Sequence, residues 1–315
     1  MGTFTALTSS DLAAIADRFG LGAVRAATPI AAGTINSNFD VTTERGRWFV
    51  RVNEGKSAGD VAWEAQLVTA LARGGVPVVE QAGVGEALGK LVTVYPWRAG
   101  VHLAPAEVTV DHARVFGGAL ARLHVVGLAL PAAWRRTSIY DHAHLVARYE
   151  RFASSGDPEL AHAIEVLGDE LAAAAAAQAT RAAATHGLIH GDLFRDNVLW
   201  EGRQLSALLD FEQASGGSLA YDLAVCINDW CWTGAPRLDL ASALVDGYRS
   251  VRVLPREDRA ALPIEVRAAA ARFTITRITD VYLARVDNPE KDFRAFLARC
   301  LAWRGPALGQ LTAAL

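Results

Sequence analysis

Asp192, Asn197 and Asp210 are polar residues set into apolar segments, at intervals of five and thirteen residues. Asp192 lies in the stretch THGLIHGDLFRDNVLW, Asn197 follows it by five residues, and Asp210 ends the apolar run LSALLD. In phosphoryl transfer one carboxylate orients the attacking hydroxyl, while a second carboxylate and an amide oxygen hold Mg²⁺ against the phosphates of ATP. We therefore predict Asp192 as the catalytic base, and Asn197 and Asp210 as the metal ligands.

The residues around these three decide between chemistry and an ordinary turn. Alone, the H-x-D part that begins at His190 is better explained by an aspartate that caps a turn beside a buried histidine. The added amide, the strand–turn–strand segment over 197–210 and the following Asp-Phe match the kinase catalytic loop H-x-D-x-x-x-x-N with D-F. His190 is expected to brace this loop rather than to take part in the reaction.

The elements that must hold these residues form two unequal lobes. The larger lobe, residues 96–315, is predicted to be mainly helical, apart from the strand pair near 197–210. The smaller lobe, residues 1–95, is predicted to contain a helix capped by Ser9 or Ser10 (8–22), a hairpin (39–43 with 47–54), a helix (59–77) and a strand (90–97). The predicted fold class is thus α+β and two-lobed, with a cleft between the lobes as the place where ligands usually bind.

The smaller lobe offers an independent cation and carboxylate. In the strand WFVRVNE, Val50 and Val52 point to one face and Arg51 to the other, and Glu64 follows in a helix. A site of this kind needs a strand cation on the nucleotide phosphates and a helix carboxylate that orients it. Arginine is unusual in this place, although it can contact phosphate in a bidentate way. An exposed arginine and an ordinary helix glutamate explain the same two residues.

Two further segments are predicted to contact the nucleotide. The segment AAGTINSNF carries Gly33, Asn36, Ser37 and Asn38, whose backbone N–H groups and polar side chains could cradle phosphate. The same composition is typical of a plain hairpin turn. The adenine is expected against the connection between the lobes, at the segment 94–97 that includes Val94, Tyr95 and Trp97.

The segments after Asp210 are helical. In SLAYDLAVCINDWCW, Asp222 lies near the start, where it could cap the helix and also hold the backbone of the catalytic loop. Near the C-terminus, ARFTITRITDVYLARV carries Arg272, Arg277 and Asp280 on an otherwise apolar helix. Arg277 and Asp280 are three residues apart and therefore neighbours on one face. They are either a surface ion pair or a site for the carboxylate and ammonium groups of a zwitterion.

The composition of the 315 residues limits the class of protein. Hydrophobic residues make up 51% and charged residues 21%, which is typical of a globular chain, and the net charge of −3 argues against nucleic acid as a partner. The sequence has neither the pattern of a signal peptide nor 18 consecutive apolar residues, so we expect no membrane span and a cytoplasmic location. The three cysteines have no matching Cys/His pair for zinc and are expected in the core.

The motifs HGDLFRDNVLW, LLDFEQAS and AYDLAVCINDWCW, together with RFTITRITD and INSNF, resemble the homoserine kinases of the aminoglycoside-phosphotransferase type. The resemblance covers nearly the whole chain. It implies a kinase-like fold, ATP with Mg²⁺, and transfer of the γ-phosphate to the side-chain hydroxyl of L-homoserine, giving O-phosphohomoserine on the way to threonine. It places Asp192 at the base, Asn197 and Asp210 at the metal, and Arg51 at the basic strand position.

Two positions depart from the pattern of that family. Glu212, with Gln213, stands where many such kinases have more apolar residues, and Arg195 stands where a proline is common. Arg195 is expected to contact phosphate or substrate, and Glu212 is a candidate contact for the acceptor.

Other functions stay open from the sequence alone. The same chemistry could act on an aminoglycoside or on a choline-like alcohol. The chain could also be a non-catalytic nucleotide-binding module, which the complete set of polar residues disfavours. A metal phosphohydrolase lacks the second His/Asp cluster that it needs. The sequence does not indicate an oligomeric state.

Overall fold

The computed structural model describes residues 5–30 and 36–313. The chain divides into two compact units, residues 1–100 and residues 101–315. The sequence placed the division after residue 95, and the structure places it five residues later. The reason is that the last strand of the first unit continues to Pro96 and the bridge between Val101 and Trp200 joins the following segment to the second unit.

The first unit is a five-stranded antiparallel sheet with two helices. Its strands lie in the order β1-β2-β3-β5-β4. The elements in chain order are α1 (Ser9–Arg18), β1 (Val24–Ile30), β2 (Ser37–Thr43), β3 (Gly46–Asn53), α2 (Ala58–Arg73), β4 (Gly83–Ala87) and β5 (Lys90–Pro96). The predicted hairpin, both helices and the strand over 90–97 are confirmed, whereas β1 and β4 escaped prediction.

The first helix begins one residue earlier than its predicted caps. Thr8, rather than Ser9 or Ser10, is the N-cap of α1, because its hydroxyl accepts the Asp11 N–H at 3.2 Å. The Asp11 carboxylate in turn accepts the Thr8 N–H at 2.8 Å, which completes a capping box.

The strand β3 alternates as its sequence predicts. Val50 and Val52 are buried in the apolar cluster between the sheet and α1, together with Val92 and Val94 of β5. Arg51 lies on the opposite face, paired across the sheet with Asn38 and Thr93. The two-residue period of the strand therefore places Arg51 beside α2 rather than in the core.

The second unit is mainly helical and has two small strand pairs. Its elements are α3 (Val110–Ala129), α4 (His142–Glu150), α5 (Ala161–Ala176), α6 (Gln178–Ala183), β6 (His186–Ile189), β7 (Val198–Glu201), β8 (Gln204–Leu208), β9 (Ser215–Ser218), α7 (Leu219–Trp230), α8 (Leu238–Arg249), α9 (Arg256–Arg277), α10 (Arg294–Trp303) and α11 (Pro306–Ala313). The predicted pair β7–β8 is confirmed. The pair β6–β9 was missed, because its glycine-rich partner SGGS carries no strand signal.

Two glycines let α3 and α8 pack with their backbones in contact. A Cβ atom added at Gly117 would overlap the carbonyl group of Leu244, and one added at Gly247 would overlap that of Arg114. The approach is therefore reciprocal, and each helix needs a glycine at the crossing. It fixes α3, whose His124 reaches the site described below.

The remaining expectations about the chain concern cysteines and membranes. All three cysteines, Cys226, Cys231 and Cys300, are free and buried, as expected of core residues. Within residues 5–30 and 36–313, every helix is too short or too polar to cross a membrane.

Candidate active site

The segment that joins β6 to β7 carries the predicted catalytic loop. Leu188 and Ile189 before it, and Val198 and Trp200 after it, are buried and anchor both ends. Gly191 adopts a left-handed conformation with φ of +79°, which a side chain would strain. Asp192 follows directly, and its side chain keeps 36% of its surface exposed. The apolar residues thus hold a polar loop in a fixed direction.

A buried carboxylate holds the backbone of this loop. Asp222, fully buried in the first turn of α7, accepts the N–H of His190 at 2.8 Å and that of Gly191 at 2.7 Å. His124 of α3 contributes a third hydrogen bond to Asp222, at 3.0 Å. The helix itself is capped by Ser218. Two roles were predicted for Asp222. Its contact with the backbone of the catalytic loop is present. The prediction that it caps α7 is wrong, because Ser218 is the N-cap.

The surroundings of Asp222 favour its charged form. Burial by itself raises the pKa of the Asp222 carboxyl, but the hydrogen bond and charge of His124 and the contacts with His190 outweigh it and hold that pKa below its usual value. The carboxylate therefore stays ionised where it accepts the backbone N–H groups.

His190 joins the loop to the end of β8. Its Nε2 lies 2.9 Å from the carbonyl oxygen of Leu209, and its Nδ1 accepts the N–H of Asp192 at 3.3 Å. Both ring nitrogens contact backbone groups, which is what a bracing side chain requires.

Asn197 and Asp210 are brought side by side by the β7–β8 pair. The N–H of Leu209 donates to the carbonyl oxygen of Asn197 at 2.9 Å, which extends the strand pairing by one step. The Asn197 Nδ2 donates to the carbonyl oxygen of Asp192 at 2.8 Å, so the amide oxygen is the atom left to meet a cation. Asp210 is held in a left-handed conformation with φ of 61°. Such strain in a residue other than glycine is typical of functional positions.

The environment of Asp192 raises its proton affinity. The net pKa of the Asp192 carboxyl is raised to about 6, mainly because the surrounding protein restricts solvation of the partly exposed group; Arg272 and His190 lower the pKa, and the charges of Asp196 and Asp210 raise it. The nearest opposite charge is Nη1 of Arg272, at 3.7 Å from Oδ1. A carboxylate with a pKa close to neutral pH is suited to act as a general base.

The chemistry of the donor set fits Mg²⁺. Asn197 offers an amide oxygen and Asp210 a carboxylate, which are hard oxygen ligands of the kind that Mg²⁺ prefers. Among residues 5–30 and 36–313 there is no cluster of three or more His, Cys, Asp and Glu side chains that could hold a metal alone. Mg²⁺ is usually bound by one or two carboxylates, with substrate phosphates and water as its other ligands.

In the first unit, Glu64 is shared by two cations. Its Oε1 lies 3.9 Å from Nη1 of Arg51, and its Oε2 accepts from Nζ of Lys56 at 3.1 Å. Both cations are largely buried, with side-chain exposures of 13% and 14%. The predicted Arg51–Glu64 pair is present, and Lys56 was missed. Lys56 lies in a loop, where strand alternation gives no signal.

The residues predicted to cradle phosphate divide into three groups. Gly33 lies outside the described residues. Asn36 and Ser37 instead contact Glu54, whose N–H donates to Asn36 Oδ1 at 3.2 Å and whose carboxylate accepts the Ser37 hydroxyl at 2.8 Å. Ser37 is fully buried, so its side chain supports the sheet rather than a ligand. Asn38 lies beside Arg51 in the sheet, where the prediction stays open.

Some backbone groups of the segment predicted to contact adenine already take part in hydrogen bonds of the sheet. Val94 is fully buried, and its carbonyl oxygen accepts the N–H of Ala82 at 2.8 Å, so it is not a free partner for a base. The N–H of Trp97 donates to the carbonyl oxygen of Arg47 at 2.9 Å, and the Arg47 guanidinium lies 3.8 Å from the Trp97 ring. Tyr95 contacts the ring of Phe49 edge to face. Val94 is therefore removed from the predicted set, because strand pairing takes its carbonyl group.

Arg195 has a protein partner rather than a free guanidinium. Its Nε and Nη2 donate to the two carboxylate oxygens of Asp229 at 2.9 and 3.1 Å, and its backbone N–H donates to the same side chain at 2.9 Å. Asp229 therefore holds Nε and Nη2 of Arg195, and the expected contact of Arg195 with phosphate or substrate stays a prediction. Asp229 lies seven residues after Asp222, two turns along one face of α7. This spacing was the sequence signal for a second carboxylate that supports the loop.

The predicted Arg277–Asp280 pair is not formed. Asp280 accepts from Nη1 of Arg148 at 2.6 Å, whereas Nη1 of Arg277 donates to the carbonyl oxygen of Asp292 at 3.1 Å. The α-helix ends at Arg277 and continues as a π-helical turn, Ile278–Tyr282. The wider turn changes the angle between the two residues, so the spacing rule for an α-helix no longer holds.

Glu212 lies in a short 3₁₀ turn directly after Asp210, where its predicted role stays open.

Comparison with known proteins identifies the family. The model of the phosphotransferase enzyme family matches residues 26–254. The homoserine kinase of Afipia carboxidovorans is 33% identical over 89% of this chain and 87% of its own length. The homoserine kinase of Methylobacterium radiotolerans is 34% identical over 89% of this chain and 88% of its own length.

Solved structures show the same fold at low sequence identity. A spectinomycin phosphotransferase in complex with ADP and spectinomycin has a TM-score of 0.67 and 15% identity, over 99% of this chain and 100% of that chain. A choline kinase from Cryptosporidium parvum has a TM-score of 0.66 and 13% identity, over 91% of each chain. The predicted α+β, kinase-like fold class is confirmed. The chain is an enzyme that belongs to the phosphotransferase enzyme family.

Proposed function

We propose that this enzyme transfers the γ-phosphate of ATP to the side-chain hydroxyl of L-homoserine and forms O-phosphohomoserine. The proposal for the acceptor is supported by relatives named homoserine kinase, which are similar to this chain over about nine tenths of its length. The observation that carries the chemistry is the loop that presents Asp192 next to the Asn197–Asp210 pair.

Asp192 would orient the acceptor hydroxyl and receive its proton. With a pKa of about 6, its carboxyl is mostly ionised at neutral pH and still basic enough to accept a proton as the O–P bond forms. His190 and Asp222 do not touch the reacting atoms in this proposal. They hold the backbone on either side of Asp192 and so fix the direction of its carboxylate.

Asn197 and Asp210 would hold Mg²⁺ through the amide oxygen and the carboxylate. When bound, the ion would neutralise negative charge on the phosphates. The nucleotide phosphates would meet Arg51, which pairs with Glu64, and Lys56 contacts the second carboxylate oxygen of Glu64. Asn38 would lie next to Arg51, and the adenine would contact the region of Tyr95 and Trp97. A cytoplasmic location stays part of this proposal.

ATP consumption with a panel of acceptors tests the proposed activity. L-homoserine, L-threonine, L-serine, choline and an aminoglycoside are compared at equal concentration. We expect turnover with L-homoserine to exceed turnover with every other acceptor. If choline or the aminoglycoside were turned over faster than L-homoserine, that compound would be the acceptor instead of L-homoserine. Binding of ATP without turnover of any acceptor would point to a non-catalytic nucleotide-binding module instead.

Two variants test the assigned roles separately. Asp192→Ala should lower kcat by roughly 10²–10⁴-fold while ATP still binds, because only the hydroxyl loses its partner. Asp210→Ala should instead weaken Mg²⁺-dependent nucleotide binding, measured as a shift in the Mg²⁺ titration. A near-normal rate for Asp192→Ala, or an unchanged titration for Asp210→Ala, would refute the corresponding role.

A further inference from the structure

Arg272 is a buried arginine next to the proposed base. It lies near the end of α9 and is 3% exposed. The ring of Tyr140 covers its guanidinium at 4.0 Å from the ring centre, and the ring of Phe273 lies at 3.7 Å. Aromatic rings at this distance attract the guanidinium and limit its movement. The two rings therefore help to fix the position of the cation beside Asp192.

The hydrogen-bond donors of Arg272 are not satisfied by the fold. Within the described part of the chain, its buried Nε and Nη1 have no hydrogen-bond partner. The nearest carboxylate oxygen is Oδ1 of Asp192, at 3.7 Å from Nη1, which is beyond hydrogen-bond length. A buried cation with unsatisfied donors is unfavourable, so the site favours binding of an anion that supplies acceptors.

Other arginines of the second unit whose side chains are largely buried are satisfied by the protein itself. Arg252 donates to the carboxylate of Asp258 at 2.9 Å, and Arg299 donates to the carbonyl oxygen of Asn228 at 2.7 Å. Arg272 differs from both, because its Nε and Nη1 have no such partner. This contrast indicates a role for Arg272 that the folded chain alone does not fulfil.

We propose that Arg272 binds the carboxylate of an amino-acid acceptor and selects acceptors that carry one. The proposal rests on the function proposed above, in which Asp192 binds the acceptor hydroxyl. In homoserine the two ends are separated by only three carbon atoms, so a molecule bound at Asp192 brings its carboxylate close to a cation 3.7 Å away. Without Arg272, the negative charges of the acceptor and Asp192 would repel each other. A cationic acceptor such as choline has no need of a buried cation there.

The test compares two acceptors that differ only in the carboxylate. L-homoserine is compared with 3-aminopropan-1-ol, which is homoserine without that group. For Arg272→Gln, we expect kcat/KM with L-homoserine to fall by roughly 10²-fold or more, mainly through KM, because a charge-assisted contact is lost. At a pH well above the pKa of Asp192, where its carboxyl is ionised in both proteins, we expect kcat/KM with 3-aminopropan-1-ol to change by less than about threefold.

Arg267→Gln is the matched control, because Arg267 lies on the same helix but pairs with Glu170. It should change neither acceptor's kcat/KM. A readout without turnover is the thermal stabilisation by L-homoserine, which wild type and Arg267→Gln should show and Arg272→Gln should lose. If Arg272→Gln does not fold, Arg272→Lys keeps the charge, loses the planar donors and should show the same selective rise in KM.

Three outcomes would overturn the inference. An equal loss of kcat for both acceptors would assign Arg272 to the transferred phosphate or to the loop, and unchanged kinetics would remove any role in binding. Stabilisation of Arg272→Gln by L-homoserine to the wild-type extent would likewise exclude the proposed contact. Failure of the proposed function looks different, since the wild-type enzyme would then not turn over L-homoserine at all.

Discussion

Replacement of Asp222 by asparagine tests whether one buried carboxylate positions the catalytic loop. Asp222 accepts three hydrogen bonds, from the backbone N–H groups of His190 and Gly191 and from the His124 ring. Asparagine has the same shape but only one acceptor oxygen. Whichever way its amide turns, the NH₂ group must face at least one of the three donors.

The cost follows from those contacts. One charge-assisted hydrogen bond is lost and one buried N–H is left without an acceptor, so the free energy of unfolding should fall by about 3 kcal/mol. For a unit of this size, that corresponds to a decrease in Tm of about 6–12 °C. The loop should also shift, and a displacement of about 1 Å at a reacting group can lower kcat roughly 10²-fold.

The measurement combines thermal unfolding with kinetics below the unfolding transition. The matched control is Asp258→Asn, because Asp258 is also fully buried and accepts the Thr185 N–H at 2.6 Å and Arg252 at 2.9 Å. The control should lose similar stability while its kcat, measured where it is folded, stays near wild type. If Asp222→Asn kept wild-type Tm and kcat, Asp222 would have no positioning role. An equal fall in kcat for both variants would show a general effect of destabilisation.

Other predictions concern helix packing, acid stability and the metal. Gly117→Ala should lower the free energy of unfolding by about 1–3 kcal/mol, because the new methyl group overlaps the carbonyl group of Leu244. Gly118→Ala meets only ordinary contacts from 3.6 Å outwards and should gain about 0.5–1 kcal/mol; loss of Tm in both variants would refute the packing argument. The pKa of Asp222 is lower in the folded than in the unfolded chain. The ionised carboxylate therefore stabilises the fold fully above the usual carboxyl pKa, and this contribution is lost as the pH falls through the lower pKa of the folded state. Tm should therefore fall more steeply with acid for wild type than for Asp222→Asn, and parallel curves would contradict this. Removal of divalent cations with a chelator should abolish turnover and Mg²⁺ should restore it, whereas turnover that persists would exclude the metal site.

Features that depend on neighbouring residues were predictable from the sequence. The strand–turn–strand segment is short, so pairing of β7 with β8 is decided locally, and it places Asn197 beside Asp210 whatever surrounds them. The face of Arg51 follows from the two-residue period of β3. The thirteen residues to Glu64 then carry the chain into α2, beside that face.

Features that depend on the end of a regular element were predicted less well. The expected pairing of Arg277 with Asp280 was wrong because α-helical spacing assumes that the helix continues, and a π-helical turn begins at Ile278. The expected role of Val94 failed because β4 escaped prediction. The strand β4 pairs with β5 at Val94, and the N–H of the neighbouring Ala82 donates to the carbonyl oxygen of Val94.

The sequence by itself determined which residues are available for phosphoryl transfer and in what order they follow one another, because a short loop and a tight hairpin leave few arrangements. Only the tertiary structure decided which charges are already satisfied. Arg195 and Arg272 look equally free in the sequence, yet the first is bonded to Asp229 on α7, while the second lies against two aromatic rings and its Nε and Nη1 have no hydrogen-bond partner. A hydrogen bond depends on distance and direction between groups far apart in the chain, and periodicity along one element does not contain that information.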